Sequence, residues 1–135
     1  MKFTFLIPTI NNCNHLKICI SSIKKNSKFN HQILVHSNNS VDETSNYLKS
    51  QSIYEMKSDQ NYGLCTALNN LVKKAENDFL IFIHDDMYLC PGWEDVLINE
   101  INLYDDYNFY LSGVMIEKIN GHINYDFGDD YKNFD

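Results

Sequence analysis

The sequence predicts an α/β fold, a mostly parallel central sheet flanked by helices, and three observations carry that expectation. Short apolar runs with strand character alternate with segments whose apolar residues recur at helical spacing, the pattern of a parallel sheet with right-handed crossovers. Polar turns follow three of the runs, at Thr9 to Asn12, Ser37 to Ser40 and His84 to Asp86. The run Phe79-Leu80-Ile81-Phe82-Ile83 ends abruptly in His84-Asp85-Asp86. Such a run reads as a central strand buried on both faces. Two adjacent carboxylates cannot lie inside a core as unpaired ions, so they must meet water, a cation or a donor-rich ligand. The plainer reading of the pair is a solvated turn in which one acid caps a helix.

Taken in order, Lys2 to Pro8 reads as strand one, with Pro8 ending its ladder pairing. Thr9 to Asn14 is a polar turn whose asparagines can cap the next helix. Leu16, Cys19, Ile20 and Ile23 then fall at i, i+3, i+4 and i+7. Gln32 to His36 is strand two, and Asp42 can cap a short helix running to about Lys49. Ser52 to Lys57 is a weaker third strand. Leu64, Ala67, Leu68, Leu71, Val72 and Ala75 form the clearest helical stripe, leading into Phe79 to Ile83. Beyond it, Pro91, Trp93, Val96, Leu97 and Ile101 suggest a helix to about Tyr104. Phe109 to Glu117 reads as a strand, with Asn120-Gly121 turning a hairpin into Ile123 to Tyr125. Asp126 to Asp135 is an acidic, aromatic tail.

A chain of 135 residues fits one compact domain, and no repeat or linker divides it. With 44% hydrophobic and 13% aromatic residues it can build a core. A mean hydropathy of −0.38 and the lack of a long apolar run exclude a membrane span. The opening residues do not form a secretory signal, because Pro8, Asn11 and Asn12 interrupt a short apolar run; a cytoplasmic location is the expectation. Net charge is −7, and all eleven basic residues are lysines, so no basic stripe exists to bind nucleic acid. Cys13, Cys19, Cys65 and Cys90 show no metal-ligand spacing and read as free thiols.

Four motifs in order resemble glycosyltransferase family 2, whose nucleotide-sugar-binding fold is called GT-A. Phe5-Leu6-Ile7-Pro8-Thr9-Ile10-Asn11 is similar to that family's opening strand and turn, and Val35 to Thr44 to its second strand and acidic turn. Asn61-Tyr62-Gly63 resembles its helix start, and Phe82-Ile83-His84-Asp85-Asp86 its Asp-x-Asp segment. The resemblance covers about residues 3 to 125. It implies a divalent cation, Mn²⁺ or Mg²⁺, with Asp86 as principal ligand and Asp85 nearer the ribose or sugar. It also implies that Pro8, Thr9, Asn11, Ser37, Asn38, Asn39, Asn61 and Gly63 border a nucleotide sugar, a UDP-sugar first. The acceptor would be a glycan, lipid or protein. For Thr9, Asn11, Asn61 and Gly63, turn and capping chemistry is the alternative.

Departures from the family pattern accompany the likeness. The nucleoside-side acid after strand two is Ser37 here, the turn glycine is Asn39, the helix arginine is Leu68, and His84 replaces the first acid of the Asp-x-Asp segment. The family's general base lies beyond that segment, and Asp126, Asp129 and Asp130 match no such position. The residues therefore suit either a donor-binding part that transfers poorly alone or a non-catalytic nucleotide-sugar-binding module. A phospho-acceptor receiver domain is disfavoured, since that fold wants acids where Thr9-Ile10-Asn11-Asn12 stands.

Overall fold

Strands β1 (Phe3–Thr9), β2 (Gln32–Asn38), β3 (Tyr54–Ser58) and β4 (Phe79–Phe82) form one sheet in the order β3-β2-β1-β4, parallel throughout. The computed structural model describes residues 1–106, 108–114, 116, 117, 123 and 124. Helices α1 (Cys13–Asn26), α2 (Thr44–Ser50) and α3 (Leu64–Val72) make the crossovers, and α4 (Trp93–Ile101) follows β4. The chain divides into a unit of Met1–Ile98 and another of Asn99–Asp135. In the second, Tyr104 and Phe109 stack with ring centroids 4.9 Å apart.

β1 is buried along its whole length because β2 and β4 flank it and helices cover both faces. On one face Leu6 and Leu34 meet Leu71 of α3, with Met56 and Leu68 packed against them. On the other face Ser45 of α2 reaches Glu55 of β3, and α1 lies beside α2. Leu16, Cys19, Ile20 and Ile23 of α1 are all buried, as their spacing predicts. Each such aliphatic side chain contributes about 1.5–3 kcal/mol by leaving water.

Several expectations need correction. β4 is not central but last in the order of the described sheet, and it is not buried on both faces. Its Leu80 and Phe82, opposite Thr4 and Leu6, share the face on which α3 packs, but α3 lies over β1 and β2 and leaves them exposed. Pro8 does not end β1, for Pro8 and Thr9 remain in register with His36 and Ser37. Leu6 turns its carbonyl toward β4, where Ile83 N–H meets it at 3.3 Å. Pro8, two residues on, faces the same side past the last paired residue of β4, so its missing N–H breaks no ladder bond. Near the C-terminus, β5 (Ile116–Glu117) and β6 (Ile123–Asn124) pair in parallel, which a tight hairpin turn cannot join. Asn120, Gly121 and the tail from Tyr125 to Asp135 lie outside the described residues.

The caps differ as well. Asn12 precedes α1 but makes no side-chain cap bond; its Oδ1 contacts His15 Nδ1 instead. Asp42, from the next loop, serves two helices at once. Its Oδ2 accepts the Cys13 N–H at 2.9 Å and its Oδ1 the Thr44 N–H at 3.1 Å, at the first residues of α1 and α2. Burial raises the Asp42 pKa, but the Thr44 side chain and the Cys13 and Thr44 N–H groups outweigh it and hold the carboxyl below its ordinary value. Asp42→Ala is expected to cost about 2 kcal/mol, the upper end for a lost cap, and Asp42→Asn distinctly less. Urea unfolding of both variants checks this.

Candidate functional site

β1, β2 and β3 step outward in one direction, whereas β4 lies on the other side of β1. The order therefore reverses between β1 and β4, and open α/β sheets form their ligand crevice at the carboxyl ends of the strands at such a point. Thr9 ends β1 there, and β4 runs into Ile83, His84, Asp85 and Asp86. The Thr9 hydroxyl donates to Asp85 Oδ2 at 2.5 Å, and Met87 N–H closes a turn on the His84 carbonyl at 3.2 Å. Thr9 is buried, Asp85 half-buried and Asp86 exposed. The acid pair is thus divided: one carboxylate is oriented by a buried hydroxyl, and its neighbour is open to solvent. His84 is exposed, its ring edge-on to Phe82 at 4.8 Å.

The loops after β1 and β2 lock together beside this turn. Asn11 donates its N–H to Ser40 Oγ at 3.1 Å, and its Oδ1 accepts the Val41 N–H at 2.8 Å. Asn11 and Asn39 have φ of 48° and 54°, in the left-handed region where asparagine is among the best-tolerated non-glycine residues. Asn39 is therefore a workable stand-in for a turn glycine. Asn38 is buried, and Ser58 Oγ donates to its Oδ1 at 3.5 Å. Ser37 is fully buried, and its hydroxyl donates to Glu55 Oε1 at 2.5 Å, an oxygen that also accepts from Ser45 Oγ at 2.8 Å.

At the head of α3, Asn61 Oδ1 accepts the Gly63 N–H at 2.9 Å, and Gly63 takes φ 81°, a conformation that strains any residue with a Cβ. For Asn11, Asn61 and Gly63 the turn and capping chemistry is thus in place. It leaves the Asn11 amide nitrogen as that side chain's remaining polar group.

Asp85 and Asp86 offer hard carboxylate oxygens, the donor chemistry that Mg²⁺ and Mn²⁺ take from proteins one or two at a time while phosphates and waters complete the shell. Among the described residues no three His, Cys, Asp or Glu side chains form a metal-holding group. Burial pushes the Cys19 thiol up to about 12, with Asp85 and then Asp86 adding to it, so it stays protonated and donates to the His84 carbonyl at 3.6 Å. Nothing in the residue pattern pointed to this second use for Cys19, an ordinary member of an apolar stripe. Glu55 and Ser40 were equally invisible, being a lone acid in a weak strand and a serine in a turn.

The all-parallel four-stranded sheet flanked by helices is a GT-A glycosyltransferase fold. The chain belongs to glycosyl transferase family 2, whose family model matches residues 4–128. Among solved structures it is similar to S. aureus TarS 1-349 in complex with UDP-GlcNAc, with a TM-score of 0.68 at 22% identity over 76% of this chain and 32% of that one. It is also similar to the mannosyltransferase PcManGT from Pyrobaculum calidifontis in complex with GDP-Man and Mn²⁺, with a TM-score of 0.66 at 18% identity over 78% of this chain and 32% of that one. The chain spans about a third of the length of these structures. No curated protein matches it. No helix among the described residues is long and apolar enough to cross a membrane.

Proposed function

We propose that this chain binds a nucleoside-diphosphate sugar, a UDP-sugar first, through Mn²⁺ or Mg²⁺, as the donor side of glycosyl transfer to a glycan, lipid or protein acceptor. The observation that carries the reading is the Thr9 to Asp85 hydrogen bond at the switch point, with Asp86 exposed beside it. Asp86 is the principal cation ligand, and Asp85, oriented by Thr9, stands nearer the ribose or sugar. A bound divalent cation supplies the positive charge that offsets the charge growing on a departing diphosphate. Pro8, Thr9, Asn11, Asn38 and Asn39 border the nucleoside. Ser37 supports that border from beneath, through Glu55. Asn61 and Gly63 set the entry of α3, where a chain without a Cβ can approach a ligand closely. The complexes of structural neighbours with UDP-GlcNAc and with GDP-Man and Mn²⁺ support the ligand class.

Calorimetric titration of UDP in Mn²⁺ and in chelator tests this. Binding in Mn²⁺ that weakens at least tenfold in chelator is expected, with GDP weaker than UDP. Equal UDP affinity in both, or no binding in Mn²⁺, would overturn the proposal.

A further inference from the structure

The acidic turn does not stand on β4 alone; one polar stripe of α1 holds both ends of it. Cys19, Ser22 and Asn26 follow at i, i+3 and i+7, so they share a helix face. Cys19 donates its thiol hydrogen to the His84 carbonyl at 3.6 Å, immediately before Asp85. Farther along, the Leu89 peptide is gripped on both sides. Its N–H donates to Ser22 Oγ at 3.0 Å, and its carbonyl accepts from Asn26 Nδ2 at 2.6 Å. Asn26 Nδ2 also reaches the Tyr88 hydroxyl at 3.2 Å. Ser22 is 1% exposed, and its own hydroxyl hydrogen goes to the Cys19 carbonyl at 2.7 Å, which leaves its oxygen aimed at Leu89. A buried serine and an amide on a helix facing the core are costly unless they bond, and here their partners are the backbone of the loop that carries the acids.

We infer that Cys19, Ser22 and Asn26 are positioning residues for the cation site: they fix residues 84–89 so that Asp85 and Asp86 meet a metal–diphosphate without reordering the loop. The inference rests on the nucleotide-sugar reading above and adds to it which residues set the cation affinity. With the loop held in advance, little ordering cost is left to be met on binding. When the grip is released, that cost falls on the ligand and affinity drops.

Asn26→Ala removes the amide that donates to the Leu89 carbonyl and reaches the Tyr88 hydroxyl, and Ser22→Ala removes the acceptor for Leu89 N–H. The control is Ile20→Val, a modest core truncation on the same helix at a residue whose apolar side chain makes no hydrogen bond to the loop. The probes are Mn²⁺ with UDP, read by calorimetry and by the Mn²⁺ electron-spin signal, at a temperature where circular dichroism shows every variant folded. The expected result is about a tenfold loss of Mn²⁺·UDP affinity in Asn26→Ala and Ser22→Ala. Ile20→Val should bind as the parent does, and chelator-resistant UDP binding should be equal in all. Parent-like Mn²⁺·UDP affinity in both loop-side variants would overturn the inference. So would an equal loss in Ile20→Val, since stability alone would then explain it. If the parent chain itself binds no Mn²⁺·UDP, the nucleotide-sugar reading fails, which is a different result from a parent that binds and variants that match it.

Discussion

Asp86→Asn is expected to remove the metal-dependent part of nucleotide binding, weakening UDP in Mn²⁺ by roughly 100-fold, or about 2.7 kcal/mol. An amide oxygen carries no net charge, so of the proposed pair Asp85 and Asp86 one anionic donor is lost at one step. Asp86 is exposed, so its replacement should leave unfolding within about 0.5 kcal/mol of the parent. Asp85→Asn should behave differently. Its Oδ2 accepts the buried Thr9 hydroxyl, so that variant weakens a charge-assisted bond in the fold as well as the site. Calorimetry in Mn²⁺ and in chelator, beside urea unfolding, separates the two. Unchanged UDP affinity in Asp86→Asn would remove it from the cation site.

Periodicity made most of the helices and strands legible because core burial imposes it. The stripe of α1 is buried residue for residue, and the parallel register follows from strands that alternate with helices. What periodicity cannot carry is the lateral position of a strand. Phe79 to Ile83 is apolar throughout, and such a run suits a central strand or, as here, the last strand of the described order. The difference lies in where α3 packs, a tertiary fact that no local pattern encodes. Pro8 misled for a related reason: whether a missing N–H matters depends on which neighbour it would have faced and how far that neighbour extends.

At the site, the end of the sheet was legible and the division of labour was not. The meeting of Thr9 with Asp85 follows from two polar turns after parallel neighbouring strands. That Asn11 spends its carbonyl on Val41, or that Asp42 caps α1 across a loop, depends on contacts about 30 residues apart in sequence. Asparagine and aspartate suit turns, caps and ligands alike, so residue type alone could not choose among them.

The largest stability effect is expected at the opposite end of the sheet, where Glu94 lies 1% exposed beside the start of β1. Its Oε2 accepts the Lys28 N–H at 2.6 Å, and its Oε1 lies 2.9 Å from His31 Nε2, a close electrostatic contact. Glu94→Ala strands the Lys28 N–H and opens space beside His31, at a cost of about 3 kcal/mol. The same cluster makes the fold sensitive to acid. His31 Nδ1 accepts the Phe3 N–H at 3.2 Å, so that nitrogen bears no proton and the ring is neutral. Burial lowers the His31 pKa, although Glu94 pulls it up, and burial lowers that of His36 as well. The unfolded chain therefore takes up protons first, so both contributions are complete above the ordinary value of 6.5 and are lost as pH falls from there toward the lowered values. Stability should be flat between about pH 7 and 8 and then fall, with a limiting slope near 1.4 kcal/mol per pH unit for each histidine. Urea unfolding from pH 8 to pH 5 measures this. His31→Gln should reduce the slope by about one proton, and a parent curve that stays flat down to pH 5 would show that neither ring is held neutral by the fold.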